Sequence, residues 1–297
     1  MIGAEHERTR VGEPGVAGFG DAVTFAFGDA ERGLYGSARL GLVPGNPVQA
    51  SGLGLLFGDG ELVAVDASGG IELDGDADWR DMEAGDVRAT IERPLEAWTV
   101  VYDGDDGGFE LRFEAISAPA ELGADAVAGR AASLDGYEQL CRVTGTVRCA
   151  EQRVRVECLG QRGHQWGAPD WERIALARTV SAWFADGPGV ALASVRPHDA
   201  VAHADEAVSA FLLGVDGVTP IAEPLLSTTL DASGRQRRAS LELWEQDDEQ
   251  TYPHRAAGEA VCGTTLDLGR LRLDCAFFHW RMEGHRGVGR YDVLRRA

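Results

Sequence analysis

The stretch Gly160–Trp171, reading GQRGHQWGAPDW, gathers a histidine, two tryptophans and an aspartate among glycines and a proline. The alternating run Val154, Arg155, Val156, Glu157, Cys158 leads into it and predicts a strand. Successive strand side chains point to opposite faces. Continued without a bulge, the strand therefore sends Val154, Val156, Cys158, His164 and Trp166 to one apolar face. An imidazole there is a candidate acid or base, with the Asp170 carboxylate available to orient it and set its tautomer. Gly160, Gly163 and Gly167 leave room beside it for another molecule. The same pattern equally describes a core histidine packed on a structural tryptophan.

Other residues join this candidate site. Trp166 and Trp171 have the π faces to wall an apolar ligand or flank a developing cation, and they serve as well as core. Tyr137 and Glu138 bring a phenol and a carboxylate. A carboxyl buried there has a raised pKa and can protonate a substrate, whereas at an exposed edge it does neither. Leu271, Leu273, Cys275, Phe277 and His279 share one face of a second long strand, so His279 also ends an apolar face where a pocket would open.

Several chemistries lack their residues. Asp74, Asp76 and Asp78 alternate like the start of a calcium loop, but Trp79 replaces the required glycine and Gly85 the closing glutamate, so the run reads as a solvated turn and no metal is expected. Neither HExxH, a P-loop, a dinucleotide-binding GxGxxG nor a GxSxG elbow is present. The five cysteines never form CxxC, and Cys149, Cys158, Cys262 and Cys275 each lie in or beside an alternating run, as small core residues do.

The elements that must position these residues read as strands. Leu53–Phe57 and Leu62–Val65 flank Gly58-Asp59-Gly60, and Trp98–Tyr102 and Phe109–Phe113 flank a second glycine and aspartate turn; both pairs predict hairpins. Further strands are expected at 143–149, 154–159, 190–195, 207–215, 225–230, 239–244 and 266–280. Many short strands and 39 glycines predict an all-β sandwich or barrel. The small-residue segment between Pro119 and Gly136 divides the chain into halves 1–125 and 126–297.

The 297 residues suffice for two domains, and 44% apolar with 26% charged residues is the composition of a globular protein. All 28 basic residues are arginine, for which nothing structural accounts. A formal net charge of −20 argues against nucleic acid and anionic membrane surfaces as partners. Neither a spanning segment nor a secretory signal is visible, so a cytoplasmic location is expected.

Tyr137-Glu138-Gln139, followed by a hairpin and then by GQRGHQWG with Asp170-Trp171, resembles the carotenoid 1,2-hydratase or hydroxyneurosporene synthase family, grouped with AttH-like proteins. The terminal GHRGVGRY is similar to the strand that closes those proteins. The resemblance implies two consecutive lipocalin-like β-barrel halves, a hydrophobic ligand near their junction, and hydration, isomerisation or cyclisation of a terpenoid or polyketide chain. That family usually has an aspartate before the histidine. Here Gly163 stands in its place, leaving Asp170 or Glu138 to supply the proton.

The expected function is a cofactor-independent hydro-lyase, isomerase or cyclase of lipid or secondary metabolism acting on an apolar unsaturated substrate. His164, Asp170 and Glu138 are its candidate catalytic residues, and Tyr137, Trp166, Trp171 and His279 its substrate-binding residues. The competing expectation is a non-catalytic barrel that carries a hydrophobic small molecule. An enzyme needs a perturbed acid or base in its cavity, and a carrier does not.

Overall fold

The computed structural model describes residues 2–12, 16–45, 47–73, 77–123, 125–245 and 252–297. The first sheet contains Gly20–Asp29 (β1), Leu34–Val43 (β2), Val48–Gly58 (β3), Glu61–Leu73 (β4), Asp81–Ala84 (β5), Val87–Arg93 (β6), Ala97–Asp103 (β7), Gly107–Ala115 (β8), Ala120–Glu121 (β9), Leu134–Cys149 (β10) and Gln152–Gly167 (β11). Its strands run in the order β4-β3-β2-β1-β11-β10-β8-β7-β6-β5, with β9 beside β10, and its ends approach one another to make a nearly closed barrel. Ile174–Phe184 (β12), Gly189–Pro197 (β13), Ala207–Leu213 (β14), Val218–Leu230 (β15), Gln236–Glu245 (β16), His254–Asp267 (β17), Leu271–Met282 (β18) and His285–Arg296 (β19) form a second, closed barrel in which β19 pairs with β12. The molecule is thus all-β and made of two lipocalin-like halves, as the strand pattern predicts.

Local sequence explains the hairpins. Asp59 and Gly60 have φ of 51° and 85°, the positive values a two-residue turn needs to match the twist of β3 and β4. The cysteines are free, and Cys141, Cys262 and Cys275 are buried. Asp74 and Asp76 lie outside the described residues, while Asp78 pairs with Arg80.

The sheets divide the chain between Gly167 and Ile174, later than the 125–126 division expected from composition. The segment from Pro119 to Gly136 holds β9 and one short helix, Val127–Ala132 (α1), which packs against β13 and β14. β10 and β11 belong to the first sheet, which they complete by pairing with β8 and β1.

Three layers of packing follow from strand alternation. Phe25, Trp98 and Phe113 fill the first barrel, with ring centroids 5.2–5.3 Å apart. Phe278, Trp280 and Tyr291 fill the second. Between the barrels, Leu55, Phe57 and Leu140 pack near Trp183, Phe277 and Val288. The parity expected for β18 is observed: Leu273, Cys275 and Phe277 face the first sheet, and Ala276, Phe278 and Trp280 turn into the barrel.

The N-terminal segment closes one end of the first barrel. The Glu7 carboxylate, carried on a 3-10 turn Ala4–Glu7, accepts hydrogen bonds from Trp98 Nε1 at 2.8 Å, Arg162 Nη2 at 2.8 Å and the Tyr137 hydroxyl. Burial pushes its pKa up, but the Arg162 charge and these hydrogen bonds outweigh it, and the carboxyl titrates below its usual range. Removing one member of such a pair strands the other charge in the core. Glu7→Ala is therefore expected to cost about 3–5 kcal/mol in denaturant unfolding, whereas Glu96→Ala, which breaks an exposed pair with Arg93, costs less than about 1 kcal/mol.

Candidate active site between the barrels

A cavity of about 310 Å³ lies between the outer face of the first sheet and the wall of the second barrel. Its floor is a row of residues directly opposite one another across five strands: Leu53 on β3, Arg39 on β2, Thr24 on β1, Gly163 on β11 and Glu138 on β10. The adjoining rows bring Ala22 and Ala26 to the same face. These small side chains cannot reach the opposing wall, which is why the barrels meet without closing the gap. Leu271, Leu273, Leu294, Arg290 and Asp292 supply that wall, and α1 and Trp171 border the cavity at its side.

Glu138 is the acid on the floor of this cavity. A Cβ on Gly163 would lie 2.5 Å from both of its carboxylate oxygens, so glycine is what allows the carboxyl to lie across β11. Burial pushes its pKa up to about 7, against the opposing effects of a hydrogen bond from Gln161 and the charges of Arg290 and Arg162. Gln161 has a fixed orientation. Its Oε1 accepts from Trp183 Nε1 at 3.0 Å, and an indole can only donate. The Gln161 amide nitrogen is thereby aimed at Glu138 Oε2, 3.0 Å away. With Oε2 accepting that bond, a proton carried by Glu138 sits on Oε1.

Across the cavity, Arg290 donates from Nε to Asp292 Oδ1 at 2.9 Å and from Nη2 to Oδ2 at 2.6 Å. This two-point ion pair holds Arg290 ionised despite its burial.

The structure sorts the residues singled out from the sequence onto different faces. Glu138 and Trp171 border the cavity. His164 and Tyr137 also border it through the strands they sit on, but their rings turn into the first barrel. There the His164 ring lies 5.1 Å from Trp166 and 5.8 Å from both Trp79 and Tyr137. Its carboxylate partner is Asp21, with Oδ1 2.6 Å from Nε2, and Asp21 Oδ2 accepts from Trp79 Nε1 at 2.8 Å and the Arg10 backbone N–H at 2.7 Å. Asp170 does not meet His164. It is exposed on the turn between the barrels, where its Oδ1 accepts the Glu172 N–H at 3.0 Å. Trp166 stacks under the Arg10 guanidinium at 4.5 Å, away from the cavity lining. His279 lies elsewhere on the inter-barrel face, its Nε2 2.8 Å from the Tyr35 hydroxyl, and burial lowers its pKa. The two histidines therefore do not share a cavity.

Sequence reasoning passed over Gln161, Arg39, Arg290, Asp292, Asp21 and Glu7. Two of these left a local signal. The alternation that sends His164 inward sends Gln161 and Gly163 outward, and Arg39 interrupts the small and apolar run LYGSARLGLV. Glu7 and Asp21 left none, because the Arg162 and His164 they pair with lie 155 and 143 residues away in the chain.

The fold recurs in solved structures. A protein provisionally assigned as AttH from Nitrosomonas europaea superposes with a TM-score of 0.70 at 11% identity, covering 94% of this chain and 93% of that one. Kievitone hydratase from Nectria haematococca gives 0.65 at 11% identity over 99% and 93%. CghA in complex with Sch210972 gives 0.67 at 11% identity over 94% and 89%. At these identities the likeness establishes the fold, which is that of the AttH-like proteins. No match was found among curated protein sequences. A family model described as a domain of unknown function (DUF7064) matches residues 4–297, and the chain belongs to that family.

Proposed function

We propose that this chain is an acid–base enzyme of the hydratase, isomerase or cyclase type, with Glu138 as the proton donor and the inter-barrel cavity as its substrate site. The observation that carries this reading is the carboxyl of Glu138: it lies in a partly open, largely apolar cavity, its pKa is raised to about 7, and Gln161 occupies one of its oxygens so that the other is left for substrate. Kievitone hydratase, among the structures that share this fold, agrees with this class of chemistry.

In the proposed step, Glu138 Oε1 gives its proton to one end of a carbon–carbon double bond. Water, an internal hydroxyl or a second double bond then forms the new bond at the other end, and the proton released returns to the Glu138 carboxylate. The Arg290 guanidinium borders this cavity near Glu138 and opposes a free carbocation. The reading therefore favours a conjugated or carbonyl-polarised double bond over an isolated one. Trp171 is the tryptophan placed to cover the substrate. His164 has a positioning role in this picture: with Asp21 it fixes the inner face of β11, whose outer face holds Gly163 and Gln161. A carrier needs no such oriented acid.

The test uses the molecule recovered by organic extraction of the protein purified from its own cells, with mass spectrometry of its conversion. Hydration adds the mass of one water, and isomerisation or cyclisation leaves the mass unchanged. Glu138→Gln is expected to lower turnover by about 100-fold or more while retaining ligand. Asp170→Asn is expected to leave it unchanged. Undiminished turnover in Glu138→Gln would remove the proposed acid.

The reactive form is the protonated one, so native turnover is expected to fall as pH rises through about 7. Stability follows the same sign. The folded pKa of Glu138 lies above its ordinary value of 4.5, so its contribution is fully present below 4.5 and is lost as pH rises through about 7. Glu138→Gln lacks that loss. Its melting temperature relative to the native protein is expected to rise across this window and level off above it; a difference independent of pH would contradict the buried-acid geometry.

A further inference from the structure

Three arginines border the inter-barrel cavity: Arg39, Arg178 and Arg290. Their charges are balanced differently. Arg290 is held by Asp292, and Arg178 turns into the second barrel, where its Nε donates to Glu206 Oε1 at 2.9 Å. Arg39 has no hydrogen bond or carboxylate contact among the described residues. Its guanidinium is repelled by Arg290 and attracted by Asp292 and Asp21, and it stays charged. Of the three, Arg39 is the one whose side chain is exposed at the cavity edge without a bonded carboxylate, which leaves it the capacity to take an incoming anion.

Its position gives that capacity a use. Arg39 and Glu138 stand in the same cross-strand row, three strand steps apart, or roughly 14 Å between backbone positions at the usual strand spacing. Only Thr24 and Gly163 lie between them, so the floor from the cation to the acid is unobstructed. Leu53 on one side of Arg39 and Leu273 and Leu294 across the cavity are apolar.

We infer that the substrate is an amphipathic acid: a carboxylate or acidic enol held by Arg39, with an unsaturated apolar body extending along the row to Glu138. This rests on the cavity being the reactive site. It replaces the expectation of a wholly apolar ligand with one that has a fixed end, and it explains how a shallow floor of small residues sets which double bond meets the acid. A charge-assisted, two-point contact to a guanidinium orients a planar anion better than apolar packing alone.

A matched pair of fluorescent probes tests this without knowledge of the substrate. Anilinonaphthalene sulfonate and phenylnaphthylamine share one ring system and differ by the anionic group. Each is titrated into the native protein, Arg39→Met, Glu138→Gln and Arg196→Met, the last removing a cation from the mouth of the second barrel. The native protein is expected to bind the sulfonate at least about tenfold more tightly than the neutral probe. Arg39→Met is expected to lose that preference while binding the neutral probe as before, which also shows that it folds. Glu138→Gln and Arg196→Met are expected to keep the preference. Equal affinity of the two probes for the native protein, a preference that survives Arg39→Met or disappears in Arg196→Met, or failure of both probes to bind overturns the inference. Retained preference together with undiminished turnover in Glu138→Gln would instead leave the anion site standing and remove the acid.

Discussion

The two faces of β11 carry opposite chemistries, and the rest of the molecule is arranged around that division. On the inner face, Arg162 and His164 enter the first barrel as buried polar groups, which are costly without partners. Glu7 and Asp21 provide those partners from the N-terminal segment and the start of β1. On the outer face, Gln161 and Gly163 are neutral and small, and the acid of neighbouring β10 folds over them.

The second barrel converts that floor into a cavity. A sheet with Ala22, Thr24, Ala26 and Gly163 on its outer face presents a shallow trough to solvent, in which a carboxyl would titrate near its ordinary value. Packing of β12, β18 and β19 over the trough removes most of that water, and desolvation becomes the largest influence on Glu138. The perturbed acid is therefore a property of the two-barrel assembly. The Trp183–Gln161–Glu138 chain makes the coupling direct, since the indole that orients the amide belongs to the second barrel.

The relatives share this architecture at 11% identity, which leaves room for the same frame to hold different chemistry. Fold-level likeness does not carry a reaction with it, because the reacting groups are individual side chains on a common scaffold. In this chain the residue before the histidine is glycine, and the Glu138 carboxyl lies over it from the neighbouring strand.

Period-two alternation, turn glycines and the scarcity of helical patterns were enough to read the all-β class, the hairpins and the inward direction of His164 and Trp166 from the sequence. These are local properties: each depends on neighbours a few residues away. Glu138 was also visible as a carboxyl beside the motif, and its environment was not. The pairing of β10 and β11 with the first sheet, the partnership of His164 with Asp21 in place of Asp170, and the separation of His164 from His279 all depend on contacts between distant segments, which alternation cannot rank. Which face of β11 borders open space was decided only when a second barrel packed against it, because a void is a property of two surfaces and neither strand encodes it alone.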